Sequence, residues 1–238
     1  MFGRLDVGMF GCLDVWMFGC LEVGMFSLKM KSNRDKILES ALMLFNRDGF
    51  VNVRLQHIAD EAVVSVGNLA YHFPNKDAIL LTIYEELARR QKELLAEYKV
   101  VPLFDNIDRL IRRTFRLQQD YIFFYLDTLE LIRANTAIAE AHRQHISWQV
   151  AQLKAMYDFN AARGAMVAEP REGLFEQLAL HFWTASDFWF TRELARGNPE
   201  FEEQAYRSAL WALLLPYFTE MGMREYGQML QSPYDFFF

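Results

Sequence analysis

An all-α fold is predicted by three observations. From Ser32 onward, apolar residues recur at helical spacing. No segment shows sustained apolar–polar alternation bounded by turn signals. Six prolines and twelve glycines in 238 residues are also few for a turn-rich β architecture. The 52% hydrophobic and 24% charged content is that of a globular chain long enough for a sizeable core.

The first helix follows Ser32. Ile37, Ala41, Leu44 and Phe45 form one buried stripe, Ser32 or Asn33 caps the start, and Asp48–Gly49 stops it. Leu55, Ile58, Ala59 and Ala62 predict a short second helix. The stretch SVGNLAYHFPNK (65–76) predicts a third: Ser65 is its N-cap, Leu69 and Phe73 face inward four apart, and Pro74 ends it. Asn75 then caps a long fourth helix through Tyr98, with Ala78, Leu81, Glu85 and Ala88 among its turns. Beyond Val101–Pro102, further helices are expected near 105–119, 121–134, 136–163, 172–196 and 199–222, with Pro216 kinking the last. The implied organisation is a three-helix helix-turn-helix domain over 31–77, a helical domain over 78–226 and a tail over 227–238.

Residues 1–30 differ in kind. MFGRLDVG, MFGCLDVW and MFGCLEVG repeat every eight residues, and MFSLKMKS begins a fourth copy. Two readings stand: a duplicated coding stretch or misplaced start with little structure of its own, Met25 or Met30 being the working start, or a Phe-rich partner-binding tail. Asp6, Asp14 and Glu22 interrupt any signal-peptide core. Both cysteines, Cys12 and Cys20, lie in this repeat, so the remainder has no disulfide framework, and a cytoplasmic setting is the economical reading. No apolar run approaches the roughly 18 residues that suggest a membrane span.

The formal charge of −6 is unevenly spread. Residues 31–76 carry six Lys/Arg against five Asp/Glu, whereas 77–238 carry 17 against 23. The N-terminal portion is free to approach phosphate. In the third helix, Gly67, Asn68, Tyr71 and His72 lie away from Leu69 and Phe73. Asn can read adenine bidentately, while Tyr, His and Lys can donate to phosphate oxygens. Two short helices joined by a tight turn and braced by a first form a helix-turn-helix, whose second member enters the major groove.

Residues 33–85, through ILESALMLFNRDGF and VRLQHIADEAVVSVGNLAYHFPNKDAIL, resemble the TetR/AcrR family of bacterial transcriptional regulators; the run GNLAYHFPNK is the most specific part. The resemblance places DNA-facing positions at Arg54, Ser65, Val66, Gly67, Asn68, Tyr71, His72 and Lys76. It implies a ligand-responsive regulator, a repressor acting as a homodimer on a palindromic double-stranded DNA operator, and a small-molecule effector. Four positions depart from the pattern. Val63 stands where the family often has Gly, Ala70 where it has a second aromatic, Arg54 where it has a Ser/Thr cap, and Val66 at a commonly polar place. A helical small-molecule binder that has lost DNA binding is the alternative these departures motivate.

The second domain is rich in aromatics around 121–125, 148–159 and 182–190, most of them core and some lining a ligand cavity between helices. Tyr121, Phe124, Arg133, Trp148, Gln152 and His181 are the ligand candidates, with His181, Arg133 and Gln152 as polar anchors. His142 and His145 stand three apart near Glu140, a spacing that can hold a metal but equally describes a wet helical face; no metal or cofactor is expected. The apolar helices near 172–196 and 199–222 are expected to pair with a second copy. The chain shows no nucleophile–base pair, phosphate loop or H-E-x-x-H spacing, so an enzyme is not expected.

Overall fold

The computed structural model describes residues 31–98 and 101–231, and the repeat at 1–30 lies outside them. From Ser32 onward the described residues form one compact all-α unit. Its helices are α1 (Asn33–Asp48), α2 (Leu55–Glu61), α3 (Val66–His72), α4 (Lys76–Tyr98), α5 (Phe104–Asp120), α6 (Ile122–Ala134), α7 (Thr136–Ala162), α8 (Leu174–Asp187), α9 (Trp189–Ala195), α10 (Glu203–Leu214) and α11 (Glu220–Gln231).

The local signals of the head act as the residues dictate. Ser32 and Asp35 form a reciprocal capping box at the start of α1, with Asp35 N–H on Ser32 Oγ at 3.2 Å. Asn68 N–H donates to Ser65 Oγ at 3.1 Å and opens α3. Ala78 N–H donates to Asn75 Oδ1 at 2.8 Å at the start of α4. Ile37, Ala41 and Phe45 of α1 are fully buried with Ile58, Ala59 and Leu69, so α3 is pinned from beneath. Burial of Ile37, Phe45, Ile58 and Leu69 contributes roughly 1.5–3 kcal/mol each. The turn between α2 and α3 passes through Val63 at φ 55°, the left-handed region that a β-branched side chain rarely adopts.

The buried positions of α4 include Ile79, Leu80, Ile83, Tyr84 and Leu87, with Ala78, Leu81 and Ala88 packed against the core beside them. Two expectations need correction. The helix expected over 172–196 breaks at Phe188 (φ −99°, ψ 15°) into α8 and α9. Pro216 does more than kink a helix: α10 ends at Leu214, a 3₁₀ turn spans Leu215–Tyr217, and α11 restarts at Glu220, with no N–H available from Pro216.

The head and body share side chains. Asn46 Nδ2 donates to Asp120 O at 2.8 Å, and its Oδ1 accepts from Phe123 N–H at 3.2 Å. Phe45 meets Phe123 with centroids 5.4 Å apart. Within the body, Asp108 of α5 accepts from Arg207 Nε, from Arg112 Nε at 3.0 Å and from Trp211 Nε1 at 2.8 Å, tying α10 to α5 through a satisfied buried carboxylate. Gly222 of α11 lies so close to the loop after α7 that a Cβ there would stand 2.1 Å from Ala165 O.

Candidate nucleic-acid interface and ligand cavity

α3 turns one side to the core and the other outward. Leu69 and Phe73 are buried, while Tyr71 is 84% exposed and Val66 41%. Gly67 is exposed, and a Cβ there would meet only Ser65 Oγ at 3.9 Å, so its lack of a side chain leaves the start of α3 open to close approach. Asn68 and His72 are half-buried on the flanks. Tyr71 and His72 touch edge to face at 5.2 Å. Arg54 is the exposed N-cap of α2; its own N–H donates to His57 Nδ1 at 3.3 Å, and its side chain makes no capping bond. Ser65 is exposed, yet its hydroxyl is spent on the α3 cap.

Two details were not legible from the local sequence. Asn33 Nδ2 donates to Asn68 Oδ1 at 3.2 Å, so the first residue of α1 orients the expected base reader. Asn68 retains its amide hydrogens and a second carbonyl lone pair for a base edge. Arg34 lies over the Phe73 ring at 5.3 Å, adding a cation beside α3. The partners are 35 and 39 positions apart, and only the packing of α1 across α3 unites them.

Lys76 departs from its expected role. Its Nζ donates to Phe50 O at 2.7 Å and Val53 O at 2.9 Å, and stands 4.1 Å from the Phe50 ring centroid. Burial lowers its pKa below the ordinary lysine value. The ammonium therefore ties down the loop between α1 and α2 and is not presented outward as a phosphate donor.

A second site lies in the body. A partly open cavity of about 60 Å³ is formed between α4, α5, α7, α8 and α10. Its walls include Tyr157, Phe182, Trp183 and Tyr206, and its polar groups include Gln91 and Asp187. Gln91 accepts from or donates to both neighbours across the core, its Oε1 2.7 Å from His145 Nε2 and its Nε2 donating to Tyr125 Oη at 2.9 Å. Asp187, at the end of α8, is 7% exposed, and burial raises its carboxyl to about 7.

None of the six ligand candidates lines this cavity. Tyr121 is buried beneath Arg90, and Phe124 packs between Tyr84 and His142. Trp148 stacks on His145 at 5.7 Å, and Gln152 is half-buried on α7. His181 sits on the outer face of α8, and Arg133 borders a separate open depression with Glu130 and Phe188. Of the wider aromatic set, Tyr157, Phe182 and Trp183 do face the cavity. Asp187 was missed. Its signal was a lone acid inside the apolar run LALHFWTASDFWF.

His142 and His145 do not form a wet face. Both are buried, His142 Nδ1 lies 3.2 Å from Tyr84 Oη, and burial pushes both imidazoles down to about 4. They are neutral core groups near neutral pH, joined to α4 by hydrogen bonds. Among the described residues no cluster of three metal-ligating side chains occurs, and no helix is long and apolar enough to cross a membrane.

A helix-turn-helix head continuous with a helical body that holds a cavity between its helices defines the class of one-component transcriptional regulators. Residues 37–83 match the family model for bacterial regulatory proteins of the tetR family, and residues 88–226 match the TetR model described as a bacterial transcriptional repressor. The chain belongs to the TetR family.

Among curated relatives, the probable HTH-type transcriptional regulator YttP of Bacillus subtilis is 40% identical over 55 residues, 23% of this chain and 27% of that protein. The HTH-type transcriptional repressor KstR of Rhodococcus jostii is 27% identical over 169 residues, 69% of this chain and 73% of that one. The match thus spans about a quarter of the length of YttP and more of KstR. A TetR-family regulator from Marinobacter aquaeolei VT8 superimposes with a TM-score of 0.72 at 25% identity, covering 84% of this chain and 98% of that one.

Proposed function

We propose that this chain is a ligand-responsive repressor that binds a palindromic DNA operator as a homodimer, with residues 31–77 reading DNA and 78–226 holding the effector and the dimer contact. One observation carries the reading: α3 is anchored by Leu69 and Phe73 while Tyr71 stands 84% exposed beside Asn68 and Gly67. A buried aromatic in the same helix would have served stability; an exposed one with a phenolic donor serves a phosphate. Asn68 and Val66 read base edges, and Arg54, Tyr71 and His72 hold the backbone. The acidic body limits indiscriminate coating of DNA.

The outer faces of α8 and α10 support the dimer contact near 172–196 and 199–222. Leu180, His181 and Thr184 on α8 and Ala205, Ser208 and Ala212 on α10 are all exposed, and small residues allow helices of a second copy to approach closely. The two heads then address successive major grooves.

Coupling runs through α4, which contributes Ile79 and Leu80 near the head and Gln91 and Leu95 to the cavity. A ligand that fits one head spacing better than another shifts operator affinity by that difference in binding free energy. The test is a mobility-shift titration on the DNA upstream of the gene at several salt concentrations. Tyr71→Ala is expected to weaken binding to all sequences with the salt slope unchanged, because a phenol displaces no counterion, and Arg54→Ala to reduce the slope by about one. Equal affinity and slope in the parent and both variants would overturn the assignment of this face.

A further inference from the structure

Two buried carboxylates of the body have opposite circumstances. Asp108 receives two guanidinium groups and an indole N–H. Asp187 is as deeply placed, but among the described residues no hydrogen bond or ion pair reaches it. It is also the last residue of α8, where the helix dipole presents its negative end. Burial and position both oppose a negative charge there, and no Lys or Arg among the described residues pairs with it.

The surroundings of Asp187 point to what would complete it. The lining of the cavity contains no Lys and no Arg, so an anionic ligand finds no counter-charge. Tyr157, Phe182, Trp183 and Tyr206 present aromatic walls, which attract a cation through their ring quadrupoles. The Tyr157 hydroxyl, buried against the same space, has no hydrogen-bond partner. The cavity volume of about 60 Å³ corresponds to roughly four or five water positions, below the roughly 150 Å³ of a cavity that takes up benzene, so a ring-bearing occupant extends through its open side.

We propose that this cavity binds a compact apolar monoamine, its ammonium on the Asp187 carboxylate and its hydrocarbon body against Trp183, Phe182 and Leu210. The proposal rests on the reading of the cavity as the effector site and names the chemistry of its occupant. The ammonium supplies the charge that Asp187 lacks, and one of its hydrogens, or a water beside it, satisfies Tyr157 Oη. A carboxylate of the same size would place like charges together beside a buried group and is disfavoured by the same geometry.

The test uses three probes with one ring and one short tail: phenethylammonium, 2-phenylethanol and phenylacetate, titrated calorimetrically into the full chain at neutral pH. Phenethylammonium is expected to bind, the alcohol roughly tenfold or more weaker, and phenylacetate not measurably. Asp187→Asn keeps the shape of the site, so it should retain the alcohol and lose the preference for the ammonium. Equal or tighter binding of the alcohol or the acid, a preference that survives Asp187→Asn, or no binding of any probe overturns the proposal.

A mobility shift with each probe separates this from the effector reading. An Asp187-dependent amine that leaves DNA affinity unmoved supports the amine site and removes the effector role. Release of DNA by the alcohol or the acid in preference to the amine supports an effector site and overturns the amine.

Discussion

Val63→Gly is expected to stabilise the protein. Val63 holds φ 55° in the turn between α2 and α3, and its side chain is 89% exposed. Removing the side chain therefore forfeits almost no burial. A left-handed conformation costs an L-residue roughly 1–2 kcal/mol, with β-branching at the unfavourable end. Glycine removes that cost but gives the unfolded chain extra freedom, an offset of roughly 0.5–1 kcal/mol. With the β-branched cost at about 2 kcal/mol, the net gain is about 1–1.5 kcal/mol. For a chain of this size it corresponds to a rise in Tm of about 2–4 °C per kcal/mol. Thermal and urea unfolding followed by circular dichroism measure it, with Val63→Ala as the control. Alanine keeps its Cβ in the strained region and should fall well short of glycine. A lower stability for Val63→Gly, or an equal gain for Val63→Ala, refutes backbone strain as the cause.

Two further outcomes follow from the packing and the buried acid. Gly222→Ala places a Cβ 2.1 Å from Ala165 O, a backbone atom that cannot swing aside, and should cost about 1–3 kcal/mol in urea midpoint measurements; an unchanged midpoint shows that α11 is not locked there. Asp187 has its carboxyl raised from 3.8 to about 7 in the folded protein, so folding binds a proton between these values and stability falls as pH rises through about 7. Asp187→Asn should therefore match the parent near pH 4 and exceed it above pH 7, by up to about 4 kcal/mol. Parallel stability curves for parent and variant across that range contradict the placement of Asp187.

The head was readable because its information is local. Ser32, Ser65 and Asn75 cap the helices they immediately precede, and Leu69 and Phe73 lie one helical turn apart with α1 and α2 beside them. GNLAYHFPNK carries the outward residues in the same short stretch, so burial and exposure alternate within one helix. The sequence alone therefore determined an all-α chain, a helix-turn-helix and the exposed role of Tyr71. It also showed the anomaly of Val63 through residue type, although the positive φ belongs to the folded turn.

Tertiary structure decided the rest, because its contacts join residues distant in sequence. Lys76 looked like a phosphate donor until the loop at Phe50–Val53 folded back to receive its ammonium. His142 and His145 share a helix face, yet whether that face is wet depends on α4 packing over it with Tyr84 and Gln91. The cavity of the body draws its walls from five helices spread across more than a hundred residues, and no periodicity in any one of them marks where the gap will fall. Asp187 and Asp108 are the same residue type, and both are buried in the body. Only the arrival of Arg207 and Trp211 beside Asp108 makes it a structural tie, while among the described residues no hydrogen-bond partner reaches Asp187.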